Sequence, residues 1–438
     1  MREMLHENIG INENGNLTFA GADAVELAGR YGTPLIVLDE VGIRKNARLY
    51  LDTVMNCFGK GSFVAYACKA LCNVALVKLL ADEGMCLDVS SCGEIHTAHL
   101  AGFDMGKVFF HSNLKTEDDI RYAISRGVGY FMVDNMEDLE ALNRISQELG
   151  NRQKIYIRVT PNVAVSTHKA VITGVTDSKF GFPIEGGVAE ASVRVALGME
   201  GIELCGFHSH IGSQIFEIEP FIKAAEVVLE FASKIAKSIG YVADSIILGG
   251  GFAVRYTHEQ KVINYVSYIE KISNVVISKC KSLGMGVPNI GFEPGRSIIA
   301  TNGMTLYTVG SLKEITDVRN YVIVDGGMAD NPRYALYKSP YTIHIANRMK
   351  ETDDFVATIG GRACESGDLL QENVSMPRPV AGDIVATLVT GAYTYSMGSN
   401  YNKLPRPPIV MIDGKGKDRV VVRRETLDEV SKLDVVDA

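Results

Sequence analysis

Eight short β-rich runs, each followed by a stretch of helical character, recur across residues 62–293. They are Ser62–Tyr66, Met85–Val89, Val108–His111, Tyr130–Asp134, Ile155–Val159, Leu204–His208, Ser245–Leu248 and Ile290–Glu293. The first five start 22–25 residues apart, the length of one strand–helix unit. Later spacings are wider and imply insertions. Strands that alternate with helices build a parallel sheet, because a parallel connection needs a long crossover. A doubly wound sheet and a closed (β/α)8 TIM-type barrel both satisfy this alternation, and eight units in about 240 residues fit the barrel size. A barrel carries its chemistry at the C-terminal ends of its strands, so those ends are the places to look.

The intervening segments support helices. Leu71–Glu83 carries Leu71, Val74, Ala75, Val77, Leu79 and Leu80 as an apolar stripe. Asn135–Leu149 opens on a capping residue and continues with Met136, Leu139, Leu142, Ile145 and Leu149 at helical spacing. Glu217–Gly240 and Glu259–Gly284 read as longer helices that stop at glycine. After Arg296 the texture changes. Met304–Val309, Tyr321–Val324, Phe355–Ile359, Asp383–Val389, Ile409–Ile412 and Arg419–Arg423 are strand-like and separated by turns such as Asp325-Gly326-Gly327 and Asp413-Gly414-Lys415-Gly416. The expected division is a barrel over 37–296, with 1–36 and 297–438 forming a second, β-rich domain of sandwich or Greek-key type. No low-complexity linker separates them.

With 438 residues, 46% hydrophobic and 22% charged, the chain has ordinary globular composition. Its net charge of −8 and lack of basic runs argue against a nucleic-acid partner. No window reaches the 18 apolar residues of a membrane helix, and the start lacks a signal-peptide core. The eight cysteines form no C-x-x-C pair, so a reduced, cytoplasmic setting is expected.

The strand ends hold the reactive residues. The first ends in Tyr66-Ala67-Cys68-Lys69-Ala70, where Lys69 sits among small and apolar neighbours. Burial lowers a lysine pKa and makes the amine a Schiff-base nucleophile; the competing reading is a snorkelling surface lysine. The second ends in Asp88-Val89-Ser90-Ser91, in which Asp88 can pair with Lys69 and a serine can cap the next helix. The sixth ends in His208-Ser209-His210-Ile211-Gly212-Ser213-Gln214, with two histidines two apart. Zinc would need further ligands nearby, and Cys92, His96 and His99 on one helix form an incomplete set, so no metal is expected. The seventh ends in Gly249-Gly250-Gly251, a turn whose amides can approach a phosphate. It lacks the dinucleotide and nucleotide-triphosphate signatures. The eighth ends in Glu293-Pro294-Gly295-Arg296, either a salt-bridged corner or an acid and a guanidinium presented together. Cys364 has a polar setting in Gly361–Asp368, against the ordinary reading of a free cysteine as a small hydrophobe. Taken together, an amine, a glycine cradle, a flat histidine, an acid and arginines are the parts that pyridoxal 5'-phosphate needs.

These motifs, with Cys364-Glu365-Ser366-Gly367-Asp368 and Gly391-Ala392-Tyr393, resemble those of the fold-type III pyridoxal-phosphate decarboxylases, which share the alanine racemase-like architecture. Asp177-Ser178-Lys179-Phe180-Gly181-Phe182, Asn331-Pro332-Arg333 with Tyr337, and Tyr395-Ser396-Met397 resemble the branch that acts on meso-2,6-diaminopimelate. The matching motifs run in order from about residue 66 to 402.

The resemblance implies roles. Lys69 carries the cofactor and His210, rather than His208, stacks on its ring. Ser213, Gly249, Gly250, Gly251, the Glu293-Pro294-Gly295-Arg296 turn and Tyr393 hold the phosphate, with Glu293 on the pyridine nitrogen. Arg296, Arg333, Tyr337, Glu365 and Tyr393 bind substrate, and Cys364 supplies a proton. It also implies a homodimer in which Cys364 and Glu365 reach the partner's site. The implied reaction is decarboxylation at the D centre of meso-diaminopimelate to L-lysine and CO2, the last step of lysine biosynthesis. The alternative is a sister decarboxylase of ornithine, arginine or carboxynorspermidine. A silent homologue serving as a binding partner would be expected to lose Lys69 or the glycine turn, and both are present.

Overall fold

The computed structural model describes residues 3–164 and 178–435. Two compact units emerge, one of Asn46–Ala253 with Ile263–Ser297, the other of Met1–Lys45, Val254–Val262 and Ile298–Ala438.

The first unit is a closed barrel of eight parallel strands: β1 (Phe63–Ala67), β2 (Cys86–Val89), β3 (Val108–Phe110), β4 (Tyr130–Val133), β5 (Gln153–Thr160), β6 (Ile202–His208), β7 (Ser245–Ile247) and β8 (Asn289–Phe292). Each pairs with the next in chain order, and β8 closes on β1 through Gly291 opposite Phe63 and Phe292 opposite Val64. All eight β-rich runs of the sequence are strands of this barrel, shifted by one or two residues at their ends. A short extra strand, Phe182–Pro183, joins the outside of β5.

Capping follows directly from the sequence. Asn73, Ser91, Thr116, Asn135 and Asn264 accept hydrogen bonds from backbone N–H groups in the first turns of their helices. The long helices Glu219–Ile239 and Tyr265–Leu283 stop at Gly240 and Gly284, both left-handed, where a side chain would be strained. The helix expected from Glu259 begins only at Tyr265, after the Asn264 cap. Val254–Val262 instead belongs to the other unit. Inside the barrel, Ala65, Phe109, Met132, Tyr156, Cys205 and Ile247 form a packed apolar layer. Phe63, Phe109 and Tyr130 stack in sequence at centroid distances of 4.9 and 4.5 Å. Side chains alternate along a strand, so the residues two positions further on point into the same lumen nearer the mouth.

The second unit is a mixed sheet. Its order is Leu369–Met376, Phe355–Gly360, Arg319–Val324, Gly303–Ile315, Leu35–Asp39, Ile409–Ile412 and Asp418–Val422, and Ile384–Leu388 also pairs with Gly303–Ile315. The Asp413-Gly414-Lys415-Gly416 turn joins an antiparallel hairpin, as its composition requires. The structural division falls at Lys45/Asn46 and Ser297/Ile298 rather than at residues 36/37 and 296/297. Leu35–Asp39, a five-residue buried apolar strand, hydrogen bonds to Gly303–Ile315 and Ile409–Ile412 and so stays with this sheet. Among the described residues, no helix is long and apolar enough to cross a membrane.

Candidate active site

The C-terminal mouth of the barrel gathers charged groups that strand alternation delivers there. Above the apolar layer come Asp88 from β2, His111 after β3, Asp134 after β4, Arg158 on β5, His208 on β6 and Glu293 after β8. All six are buried. Six ionisable groups in so small a space persist only when they neutralise one another. His208 Nε2 bonds Glu293 Oε2 at 3.0 Å, and His111 Nε2 lies 3.1 Å from Glu293 Oε1 and 3.6 Å from Asp88 Oδ1. Arg158 reaches Asp134 at 3.5 Å. Burial by itself would push the Glu293 carboxyl up, but His111 and His208 outweigh it and hold it well below the ordinary glutamate range. Burial lowers His208, against the pull of Glu293.

Lys69 follows β1 in a short 3-10 turn. Cys68 and Ala70 are buried on either side, but Lys69 itself is not: its side chain is 45% exposed, with Nζ 3.8 Å from Asp88 Oδ2. Of the two readings drawn from the sequence, a buried amine and a snorkelling surface lysine, the exposure matches the second. The turn buries its neighbours and leaves the amine open to the barrel mouth. Ser91 caps the helix Cys92–Leu100, so Asp88 and the serine serve both of the purposes read from the sequence. Glu94, in that helix, accepts from the Ser90 N–H at 2.6 Å and is pushed up to about 7 by burial.

The glycine turn after β7 fits tightly. A Cβ on Gly250 would lie 2.1 Å from the Glu293 carbonyl oxygen, and one on Gly251 would lie 2.2 Å from the Gly212 carbonyl oxygen. Gly249 and Gly251 also adopt positive φ. Gly250 N–H donates to His210 Nδ1 at 3.2 Å. Burial, with Lys69 and Arg158 nearby, lowers His210 well below the ordinary histidine value, favouring the neutral ring. Arg296 donates from Nε and Nη2 to Ser213 Oγ at 3.3 and 3.0 Å, and Gly295 packs against Ala67. Lys69, Asp88, His210, Ser213, Gly249–Gly251 and Glu293–Arg296 therefore all belong to one unit and gather at one end of its barrel. Among the described residues, the buried Glu293 Oε1 and Asp88 Oδ1 have no hydrogen-bond partner. An unsatisfied buried carboxylate oxygen, an exposed amine at the same barrel mouth and a glycine turn with no room for side chains fit a flat, phosphorylated, nitrogen-bearing aldehyde.

The remaining expected residues lie in the sheet unit. Arg333 is 4% exposed. It donates to Tyr341 Oη at 3.0 Å and Ser339 Oγ at 3.2 Å, and its guanidinium carbon lies 4.7 Å from the Tyr256 ring centroid. Tyr337 ends the same short helix, and Tyr393 takes a left-handed φ of 59°. Cys364 and Glu365 are exposed; Asn402 accepts from the Cys364 N–H, and Glu365 accepts from the Gly367 N–H. The incomplete metal set dissolves into separate contacts: Cys92 with Asp119, His96 with Tyr122, His99 with Arg126. Of the Asp177–Phe182 motif, Asp177 lies outside the described residues. The Arg158 guanidinium carbon lies 4.4 Å from the Phe180 ring centroid.

His111, Asp134, Arg158 and Glu94 were not singled out from the sequence. The signal was available for three of them. His111 and Asp134 close strand runs, and Arg158 stands two residues beyond the lumen residue Tyr156.

A profile of the pyridoxal-dependent decarboxylase pyridoxal-binding domain matches residues 44–300. Diaminopimelate decarboxylase of Bacillus subtilis is 41% identical over 431 residues, 98% of each chain. That of Staphylococcus aureus is 40% identical over 420 residues, 96% of this chain and 97% of its own. The crystal structure of diaminopimelate decarboxylase from M. jannaschii in co-complex with L-lysine superposes with a TM-score of 0.90 at 33% identity, covering 99% of both chains.

Proposed function

The chain belongs to the pyridoxal-dependent decarboxylases, in their diaminopimelate decarboxylase group, and on that footing we propose how its residues divide the work. The reaction is decarboxylation of meso-2,6-diaminopimelate to L-lysine and CO2, the last step of lysine biosynthesis, with pyridoxal 5'-phosphate as cofactor. Bound at the barrel mouth, the cofactor supplies an electron sink for the pair left behind when CO2 departs.

Lys69 Nζ is the amine that would hold the cofactor's aldehyde. Asp88 stands beside that nitrogen, 3.8 Å away. Glu293 Oε1 holds the proton on the pyridine nitrogen, which deepens the sink. His210, fixed by the Gly250 N–H, lies flat against the ring. The Gly249–Gly251 turn, through the amides of Gly249 and Gly251, and the Ser213–Arg296 pair would hold the phosphate, with Pro294, Gly295 and Tyr393 completing the cradle. Arg296, Arg333, Tyr337, Glu365 and Tyr393 hold the distal amino-acid end of the substrate. A guanidinium has five N–H donors, so the bonds from Arg333 to Tyr341 and Ser339 set its plane without exhausting it. Cys364 Sγ would be the group that supplies the proton to the product.

A homodimer, with Cys364 and Glu365 serving the partner's site, is part of this reading and accords with their exposure on the single chain. A cytoplasmic setting accords with eight unpaired cysteines. The observation that carries the reading is the convergence of Lys69, Asp88, Glu293 and the glycine turn at one barrel mouth. A CO2-release assay on meso-diaminopimelate beside ornithine, arginine and lysine tests it. Release from meso-diaminopimelate far above the other three is expected, and equal or faster release from ornithine or arginine would overturn it.

A further inference from the structure

Glu293 is gripped from two sides, and the two grips differ. His208 Nε2 makes a directed hydrogen bond to Oε2 at 3.0 Å. His111 Nε2 stands 3.1 Å from Oε1, yet neither atom of that pair is in line for a hydrogen bond. The same Nε2 is 3.6 Å from Asp88 Oδ1, which also has no hydrogen-bond partner. Two carboxylate oxygens facing one ring nitrogen require that nitrogen to carry a proton, since its lone pair would be repelled by both. The ring is held in this pose. Its backbone N–H donates to the Val89 carbonyl at 2.7 Å, and it meets His208 edge-on, with centroids 4.8 Å apart and planes at 71°. Lys69 stands 3.8 Å from the other oxygen of Asp88. An unbroken line of ionisable groups thus runs Lys69, Asp88, His111, Glu293, His208.

We propose that His111 is a positioning residue of the decarboxylation: lodged between Asp88 and Glu293, it ties the carboxylate beside the Lys69 amine to the carboxylate that serves the pyridine nitrogen. The inference rests on the reading of Glu293 given above and adds a residue to it. Because His111 approaches Oε1 off the hydrogen-bond line, its N–H stands against that oxygen while leaving its lone pair for the cofactor. His208 fixes the rotation of the carboxylate through the other oxygen. Without His111, Glu293 and Asp88 lose their shared partner inside a closed barrel and turn toward whatever donor remains.

The test compares His111→Phe, which keeps the bulk of the ring without a donor, with His111→Gln, whose amide N–H reaches about as far as Nε2. The readouts are the dissociation constant of pyridoxal 5'-phosphate from the apoenzyme, followed by its visible absorbance, and kcat and KM separately, with apoenzyme melting as the fold control. His111→Phe is expected to weaken cofactor binding about tenfold and lower kcat by about 10–100-fold, with KM within about twofold. His111→Gln is expected to recover most of both losses. Equal behaviour of the two variants, or unchanged cofactor affinity and kcat in His111→Phe, overturns the proposal. If His111→Phe does not fold, His111→Gln decides alone: cofactor affinity and kcat within about threefold of the parent support the proposal, and losses beyond about tenfold overturn it. Glu293→Gln is measured in parallel. Parental cofactor affinity there would remove Glu293 from the pyridine and take the proposal with it. Weakened binding in Glu293→Gln with none in His111→Phe would remove His111 alone.

Discussion

Lys69 Nζ stands 3.8 Å from Asp88 Oδ2, the lysine side chain 45% exposed and the aspartate side chain 1%. An exposed lysine thus stands beside a sealed carboxyl group. The aspartate cannot leave, because β2 holds it in the barrel lumen, whereas the lysine can swing through the mouth.

Borohydride treatment of the purified enzyme is accordingly expected to fix the cofactor on Lys69, read by peptide mass mapping. Lys69→Ala is expected to be colourless after gel filtration and inactive. Turnover by a colourless Lys69→Ala would remove the lysine from the reaction. Asp88→Asn should keep the covalent link and lose about tenfold in kcat/KM, measured by CO2 release.

Cys364→Ala should lose most of its kcat while retaining cofactor absorbance, since the cysteine lies on an exposed loop of the sheet unit. Full activity would exclude the thiol as the proton donor. A fall in cofactor content would point to a structural role instead.

Gly250→Ala places a methyl group 2.1 Å from the Glu293 carbonyl oxygen, which is backbone and cannot step aside. The turn and the end of β8 must part. Overpacking of this kind costs about 1–3 kcal/mol, and a drop of several degrees in melting temperature is expected. Cofactor affinity should fall by more than tenfold, since the displaced strand end carries Glu293. Parental affinity in a folded Gly250→Ala would contradict the cradle.

Asp330 of the sheet unit is pushed up to about 7, chiefly by burial. Its folded pKa lies above its unfolded one, so its stabilising proton is fully in place below about pH 4 and is lost as pH rises through about 7. Asp330→Asn keeps an acceptor for the Gly327 N–H and has no charge to lose. The variant should match the parent near pH 4 and exceed it by about 1–4 kcal/mol above pH 7, measured by urea denaturation at each pH. A stability difference independent of pH would refute the assignment.

The barrel was readable because its strands announce themselves. A βα unit repeats at 22–25 residues, each helix carries its own cap, and Asn73, Ser91, Thr116 and Asn135 do in the structure what such residues do in short peptides. The sheet unit was less readable. Leu369–Met376 and Ile343–Ile345 were missed because their polar and mixed residues do not alternate cleanly, and their strand character comes from partners far along the chain. Leu35–Asp39 sits at the edge of the expected barrel and pairs instead with strands almost 270 and 375 residues away.

By itself, then, the sequence determined the number and order of the barrel strands and the residues at their ends, because spacing, caps and strand alternation act over a few residues. Only the tertiary structure decided that Lys69 lies open, that Asp88 and Glu293 share the His111 imidazole, and that His208 and His210, two residues apart, serve different neighbours. Those outcomes depend on which strands the barrel closes together, and closure brings β1 against β8 and turns β2, β3, β6 and β8 toward one lumen. Charges there must be neutralised by groups that no local pattern in the chain places side by side.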